Sequence, residues 1–237
     1  MAQLWAGTSG FAYPNWKPEF YPAKLAAKQF LEHYATLLNS VEINYTFRRL
    51  VAGATLENWV RSTAPEFRFS LKAHMRITHL LRLKNAAEFT ELFLKSVDPL
   101  RVTRRLGPLL FQLPPNFKCD TALLADYLSL LPPDLRYAFE FRNTSWMNDA
   151  VYSVLASRGV SLCLAESDKF ETPPVVTAGF VYVRLRKPEY SEEDRKEIAD
   201  RVRAHTSEER DVFVYFKHED TPAGALYAKA LLAAASA

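Results

Sequence analysis

The sequence predicts an α/β protein built as a single (β/α)8 barrel of the TIM-barrel class. Three observations predict it. Eight short apolar or alternating runs recur along 237 residues, most of them separated by stretches with helical spacing. Most of the polar residues of the alternating runs fall late in their runs, at the end where barrel proteins gather their sites. No Gly/Ser-rich linker, composition break or internal repeat divides the chain, so one domain over residues 1–237 is expected. A doubly wound open sheet is the alternative that strand number alone leaves open.

Composition narrows the class. Hydrophobic residues make up 49% of the chain and charged residues 24%, which is ordinary for a soluble protein with a real core. The formal net charge of +3 is too small to argue for nucleic acid by itself. Cys119 and Cys163 lack metal-type spacing and read as reduced, buried thiols. No apolar run approaches a membrane span, and no basic segment followed by an apolar one opens the chain. A cytoplasmic protein that does not engage membranes is the expectation.

The elements follow in order. Leu4–Ser9 reads as a strand closed by a Gly-containing loop, and Phe11–Pro22 as an irregular aromatic and proline-rich segment. Leu25–Leu38 has helical spacing. Ser40–Phe47 alternates, with Val41, Ile43 and Tyr45 opposite Glu42, Asn44 and Thr46. A short helix over Ala54–Ser62 precedes a strand over Phe67–His74, whose Phe67, Phe69 and Leu71 oppose Arg68, Ser70, Lys72 and His74. Ala86–Val102 is helical. Leu106–Leu113 is a strand stopped by Pro114 and Pro115.

A helix over Thr121–Leu131, capped by Asp120 or Thr121, leads to the run that begins at Tyr137. There Tyr137, Phe139 and Phe141 face away from Ala138, Glu140 and Arg142. Asn143 or Ser145 caps a helix from Trp146 to Ser157, and Gly159 ends it. Val160–Ala165 is the sixth strand. The segment 167–178, with Pro173 and Pro174, leaves little room for a crossover helix, so the barrel is irregular between its sixth and seventh strands. Phe180–Arg186 sets Tyr182, Arg184 and Arg186 on one face. A helix over Ser191–His205, a strand over Asp211–His218 and a helix over Pro222–Ala235 complete the chain.

Collected, the apolar faces pack on helices and the opposite faces fill the lumen. The lumen then receives Glu42, Asn44, Ser70, Lys72, His74, Gln112, Glu140, Arg142, Arg184 and Arg186. Any one of these alone reads as a paired lumen group, because an unpaired buried charge costs several kcal/mol. Together they do not balance. Two carboxylates meet more cations than they neutralise, which points to an anionic ligand. Glu42 or Glu140 is the candidate acid or base, Lys72 an electrostatic partner or nucleophile, and Arg142 with Arg184 an anion clamp. A salt bridge to Glu42 or Glu140 is the structural alternative for Lys72. The aromatics Phe11, Tyr13, Trp16, Phe20 and Tyr21 either stack on a ligand or anchor their own loop.

Other chemistry has weaker signals. His74, His79, Glu166, Asp168, His218, Glu219 and Asp220 have no standard metal spacing; no cofactor is expected, and a divalent metal is an open alternative. No Gly-rich phosphate loop and no GxSxG elbow occur.

A family resemblance is carried by motifs in order along most of the chain. They are GTSGFAYPNW from Gly7 to Trp16 with FYP at Phe20–Pro22, VEINYTF at Val41–Phe47, FSLK at Phe69–Lys72 with ITH at Ile77–His79, LGPLLFQLPP at Leu106–Pro115, and EFRNTSW at Glu140–Trp146. These resemble the domain-of-unknown-function 72 family. The resemblance implies a (β/α)8 barrel and a pocket without naming a reaction; proposals for the family include kinship with barrel nucleases and sugar isomerases. It implies site positions at Ser9, Tyr13, Trp16, Glu42, Asn44, Lys72, His79, Gln112, Glu140, Arg142 and Trp146. The chain departs after the last strand, where Lys217, His218, Glu219 and Asp220 follow Phe216 in place of asparagines and an aspartate. Arg184 is kept, with Arg186 as a second cation.

The expected function is an enzyme acting on a small anionic, phosphorylated or sugar-like substrate. The site comprises Glu42, Lys72 and Glu140 as reacting groups, with Ser9, Tyr13, Trp16, Asn44, His74, His79, Gln112, Arg142, Trp146 and Arg184 as binding groups. A nucleic-acid protein and a non-catalytic ligand-binding module are the alternatives. Oligomeric state has no sequence signal.

Overall fold

In a computed structural model, residues 2–167 and 170–235 are described. The strands are β1 (Leu4–Thr8), β2 (Ser40–Ile43), β3 (Arg68–Lys72), β4 (Leu106–Gln112), β5 (Tyr137–Glu140), β6 (Ser161–Ser167), the two-residue β7 (Phe170–Glu171), β8 (Phe180–Leu185) and β9 (Asp211–Phe216). All but β7 run parallel in the order β1-β9-β8-β6-β5-β4-β3-β2, and β7 pairs antiparallel with β6. The order comes back on itself: a parallel bridge joins Ser9 to Glu42, and the Gly10 amide donates to the Glu42 carbonyl at 2.8 Å. The result is a nearly closed barrel of eight parallel strands. At this seam a Cβ on Gly7 would lie 1.9 Å from the Ser40 carbonyl oxygen, so only glycine lets β1 approach β2.

The helices are α1 (Phe30–Leu37), α2 (Gly53–Arg61), α3 (Ala87–Ser96), α4 (Asp98–Val102), α5 (Thr121–Ser129), α6 (Asp149–Ser157), α7 (Glu192–Ser207) and α8 (Ala223–Ala235). Alternation along the strands sorts the side chains. Val41, Phe69, Leu71, Leu109, Phe111, Phe139, Val212 and Val214 point outward and share one apolar core with helix residues such as Leu56, Phe93, Leu124 and Leu155. A second cluster fills the lumen: Trp5, Leu110, Ala138, Cys163, Phe180, Tyr182, Phe213 and Tyr215. Trp5 stacks on Phe213 at 4.6 Å toward the N-terminal end. One level up, the Tyr215 hydroxyl meets Ser40 Oγ at 2.6 Å and Ser70 Oγ at 2.8 Å. The polar layer lies above it, at the C-terminal ends.

Several expected boundaries move, each for a local reason. The alternating run after Ser40 leaves the strand at Ile43; Asn44 turns helical and Tyr45–Phe47 form a 3-10 turn. Thr46 Oγ1 holds that turn by donating to the Ile43 and Lys72 carbonyls at 3.1 and 2.6 Å. Tyr45 is therefore exposed instead of sharing the Val41 face. The helix expected over Ala86–Val102 is two helices, the second opened by Asp98 and Pro99. Asn143 caps only the 3-10 turn Thr144–Trp146; the cap of α6 is Asn148, whose Oδ1 accepts from the Val151 amide at 3.1 Å. Among the described residues, no crossover helix joins β6 to β8. The returning chain instead runs back along β6, where the Thr177 hydroxyl accepts from the Leu162 amide and donates to the Val160 carbonyl. Cys163 is buried, Cys119 is half-buried, and neither forms a disulfide. Among the described residues, no helix is long and apolar enough to cross a membrane.

Candidate functional site

The polar layer is organised by Arg184 near the end of β8. Parallel register places it beside Ala165 of β6 and Tyr215 of β9, and its side chain lies in the lumen, 2% exposed. Its Nε and Nη2 donate to Glu42 Oε2 and Oε1 at 2.9 and 2.8 Å, and its Nη1 donates to Glu140 Oε2. Glu42 takes two more donors, Ser9 Oγ and the Tyr182 hydroxyl, each at 2.7 Å. Each Glu42 carboxylate oxygen thus accepts two hydrogen bonds. Burial by itself would raise the Glu42 pKa, but the Arg184 charge and these donors outweigh burial and hold it below the usual carboxylate range.

Glu140, at the end of β5, is the second anchor. Its Oε1 accepts from Gln112 Nε2 at 2.7 Å and Arg142 Nε at 3.0 Å, and Arg186 Nη1 lies 3.6 Å away. Burial works against its charge; Arg184, Arg142, Gln112 and Arg186 reverse that and keep it ionised well below the ordinary range. Gln112, paired in register with Glu140, turns its other end to the next strand, and Lys72 Nζ donates to its Oε1 at 2.7 Å. Lys72 therefore meets a neutral amide oxygen. Among the described residues, no carboxylate lies within ion-pair distance of Lys72, so the expected alternative of a direct Lys72–glutamate bridge is not formed.

Around Lys72 the mouth is cationic and partly aromatic. Its Nζ sits 4.1 Å from the centre of the Phe47 ring, against which the His79 ring packs edge-on at 4.9 Å. Burial, then the charges of Arg184 and Arg142, bring the Lys72 amine down to about 8 against the pull of both glutamates. Burial and the neighbouring Lys72, Arg142 and Arg82 also lower His79, favouring its neutral ring. Arg142 and Arg186 side chains are 31% and 25% exposed, so this layer meets solvent. Arg186 Nε is buried without a hydrogen-bond partner.

The site positions read from the sequence divide into three groups. Ser9, Glu42, Lys72, His79, Gln112, Glu140, Arg142 and Arg184 come together. Tyr13 and Asn44 lie beside them: the Tyr13 hydroxyl donates to the Ser9 carbonyl at 2.9 Å, and both residues line a 590 Å³ cavity with Phe11, Tyr45, Arg49 and Trp59. Asn44 Oδ1 is buried there without a partner. His74, Trp16 and Trp146 do not join. β3 ends at Lys72, so alternation lapses before His74, whose ring packs on Phe89 and whose Nδ1 accepts from the Arg76 amide. Trp146 is buried on Phe141 at 4.7 Å and donates to the Phe117 carbonyl. Trp16, Phe20 and Tyr21 are buried together, and Tyr21 stacks on Phe30 at 4.2 Å, so that loop is anchored by its own aromatics.

Tyr182, Arg186 and Phe47 belong to the constellation without having been singled out as site residues. The face shared by Tyr182, Arg184 and Arg186 was the available signal for two of them. Of the residues weighed for a metal, Asp168 lies outside the described residues. His218 Nε2 instead meets the Pro188 carbonyl at 2.9 Å. Among the described residues, no three His, Cys, Asp or Glu side chains gather as metal ligands.

The family described as "Protein of unknown function DUF72" matches residues 5–237. The chain belongs to this DUF72 family. A curated relative, the UPF0759 protein YunF of Bacillus subtilis, is 31% identical over 139 residues, 56% of this chain. The match spans about half of that relative, 49% of its length. A solved DUF72 family protein of Thermotoga maritima (TM1631) superposes over 99% of this chain and 100% of its own, with a TM-score of 0.86 and 25% identity. One from Enterococcus faecalis (EF0366) covers 100% and 99%, with a TM-score of 0.79 and 20% identity. The latter likeness speaks to the DUF72 fold alone.

Proposed function

We propose that the barrel mouth binds a small anionic metabolite, carrying phosphate or carboxylate, and that the protein is an enzyme using Lys72 on it. The observation that carries this reading is the surplus of cations. Glu42 and Glu140 face Arg184, Arg142, Arg186 and Lys72, and Arg184 consumes much of the carboxylate capacity. The partly exposed Arg142 and Arg186 side chains then face the mouth with donors to spare beside the Lys72 amine. An anion seated there accepts those donors and neutralises the surplus.

The roles divide by burial. Glu42 and Glu140 are saturated with donors and kept ionised, which suits positioning Arg184 and Gln112 more than exchanging protons. Lys72, brought down to about 8, loses its proton far more readily than an ordinary lysine, and His79 beside it is shifted toward its neutral ring. The nucleic-acid reading draws less support, because Trp16, Phe20 and Tyr21 are buried and offer no stacking platform.

Calorimetric titration with phosphate and with a small dicarboxylate at low ionic strength tests the reading. Each charge-assisted hydrogen bond is worth about 1.5–3 kcal/mol, so Arg142→Gln or Arg186→Gln should weaken binding by about tenfold or more. Equal affinity in both variants, or no binding to the parent protein, rejects it. A bound metabolite that is never consumed would leave a binding module in place of an enzyme.

A further inference from the structure

We infer that Lys72 forms an imine with the carbonyl carbon of an anionic aldehyde, ketone or 2-oxo acid held at the mouth. The inference rests on the anion-binding reading above and names the chemistry of the same site. Four features of geometry carry it. Lys72 Nζ is tied to a neutral amide oxygen and to no carboxylate, so losing its proton breaks no ion pair. Gln112 is itself fixed by Glu140, which holds Nζ at one position on the mouth. The Phe47 ring covers one side of the amine and limits its hydration. Arg142 and Arg186 both approach Glu140 Oε1, and an anionic group attached to the carbonyl carbon would sit against their remaining donors.

The groups that set the proton balance of Lys72 come from several elements. Burial, Arg184 and Arg142 favour the free amine, and Glu140 and Glu42 oppose them. Buried amines with cationic neighbours are activated nucleophiles for carbonyl substrates.

The step balances without an outside oxidant or reductant. The free amine adds through its nitrogen lone pair to the carbonyl carbon, and the carbon–oxygen π pair moves to oxygen. The extra nitrogen proton passes to that oxygen and gives a carbinolamine. The remaining nitrogen proton then passes to the hydroxyl oxygen, the carbon–oxygen bond breaks, water leaves with that electron pair, and the nitrogen pair forms the carbon–nitrogen double bond. His79, whose Nδ1 meets Thr78 Oγ1 at 2.8 Å, is the titratable group beside Lys72 that is not committed to a carboxylate and is the proton carrier for both transfers. Addition of water reverses the sequence and restores the amine.

Reductive trapping tests this. The full chain is incubated separately with pyridoxal 5′-phosphate, glyceraldehyde 3-phosphate and pyruvate, reduced with borohydride, and mapped by peptide mass spectrometry. The expected result is modification of Lys72 at least tenfold faster than exposed Lys28, suppressed by added phosphate. The phosphorylated arms trapping alone assign phosphate as the anion; the pyruvate arm trapping alone assigns carboxylate. Lys72→Arg, which keeps the charge but has no free amine to condense, should lose the adduct. Modification of Lys72 no faster than Lys28 overturns the imine. If phosphate still binds in that case, only the imine falls; if it does not, the anion reading falls with it.

Discussion

Arg184 grips Glu42 through two parallel hydrogen bonds, 2.8 and 2.9 Å long, in the centre of the barrel. Both side chains are almost wholly removed from water, at 2% and 0% exposure. A third nitrogen of the same guanidinium reaches Glu140, so one cation joins β2, β5 and β8. Such a pair is weak evidence for net stabilisation, since taking the charges out of water is costly. Breaking it is different, because the abandoned carboxylates stay buried.

Arg184→Met should therefore be severely destabilising. Two buried carboxylates would lose their common partner, at a cost of about 3–5 kcal/mol. For a chain of this size that corresponds to a fall in Tm of about 6–20 °C by calorimetry. Adding Glu42→Gln to Arg184→Met should recover part of the loss. A double variant as unstable as the sum of the two single ones would mean that the charges do not act as a unit.

Acid should unfold the protein through the same layer. Glu42 and Glu140 both have folded pKa values below their ordinary ones. The unfolded chain then binds more protons than the folded one once pH drops to the unfolded carboxylate range, about 4.3. Their contribution is complete above that range and is lost as pH falls toward the folded values. Urea denaturation from pH 7 to pH 3 should show stability falling below about pH 5, with a shallower fall in Glu140→Gln. Equal slopes would remove Glu140 from the account.

Much of this layer was readable because strands impose a period of two. Glu140 with Arg142, and Arg184 with Arg186, were placed on shared faces by alternation alone, and the three arginines all reach Glu140. The period fails where a strand stops. Nothing in the spacing marks Ile43 and Lys72 as last residues, because the Thr46 hydroxyl that reaches the Ile43 carbonyl three residues back also reaches the Lys72 carbonyl 26 residues on. That one tertiary bond removes Tyr45 from the core face, and the end of β3 takes His74 off the polar one. Nor could spacing tell whether an aromatic at the rim turns inward. Trp146 lies three residues after the Asn143 cap, yet its ring is drawn outward by Phe141 and the Phe117 carbonyl.

Trp146 should consequently matter for folding and leave ligand affinity alone. Trp146→Phe keeps the stacking on Phe141 and loses the hydrogen bond to the Phe117 carbonyl, at about 1 kcal/mol. Trp146→Ala empties a fully buried site and should cost about 3–5 kcal/mol. Phosphate affinity in Trp146→Phe should match the parent. A tenfold loss of affinity with unchanged Tm would instead put the indole at the ligand.

Lys72 provides the most direct reading of the mouth's electrostatics. Its amine is brought down to about 8, first by burial and then by Arg184 and Arg142. An ordinary lysine titrates near 10.4. Acylation by a neutral amine-directed reagent follows the free-amine fraction, so labelling of Lys72 should rise with pH to a midpoint near 8, while exposed lysines continue rising above pH 10. Removing one neighbouring cation tests the cause. In Arg142→Gln the like charge that disfavours protonation is gone, so the Lys72 midpoint should move upward. Glu140→Gln removes a charge that favours protonation and should move it downward. A midpoint that ignores both substitutions would assign the lowered value to burial under Phe47 alone, and Phe47→Ala, which hydrates the amine, should then raise it.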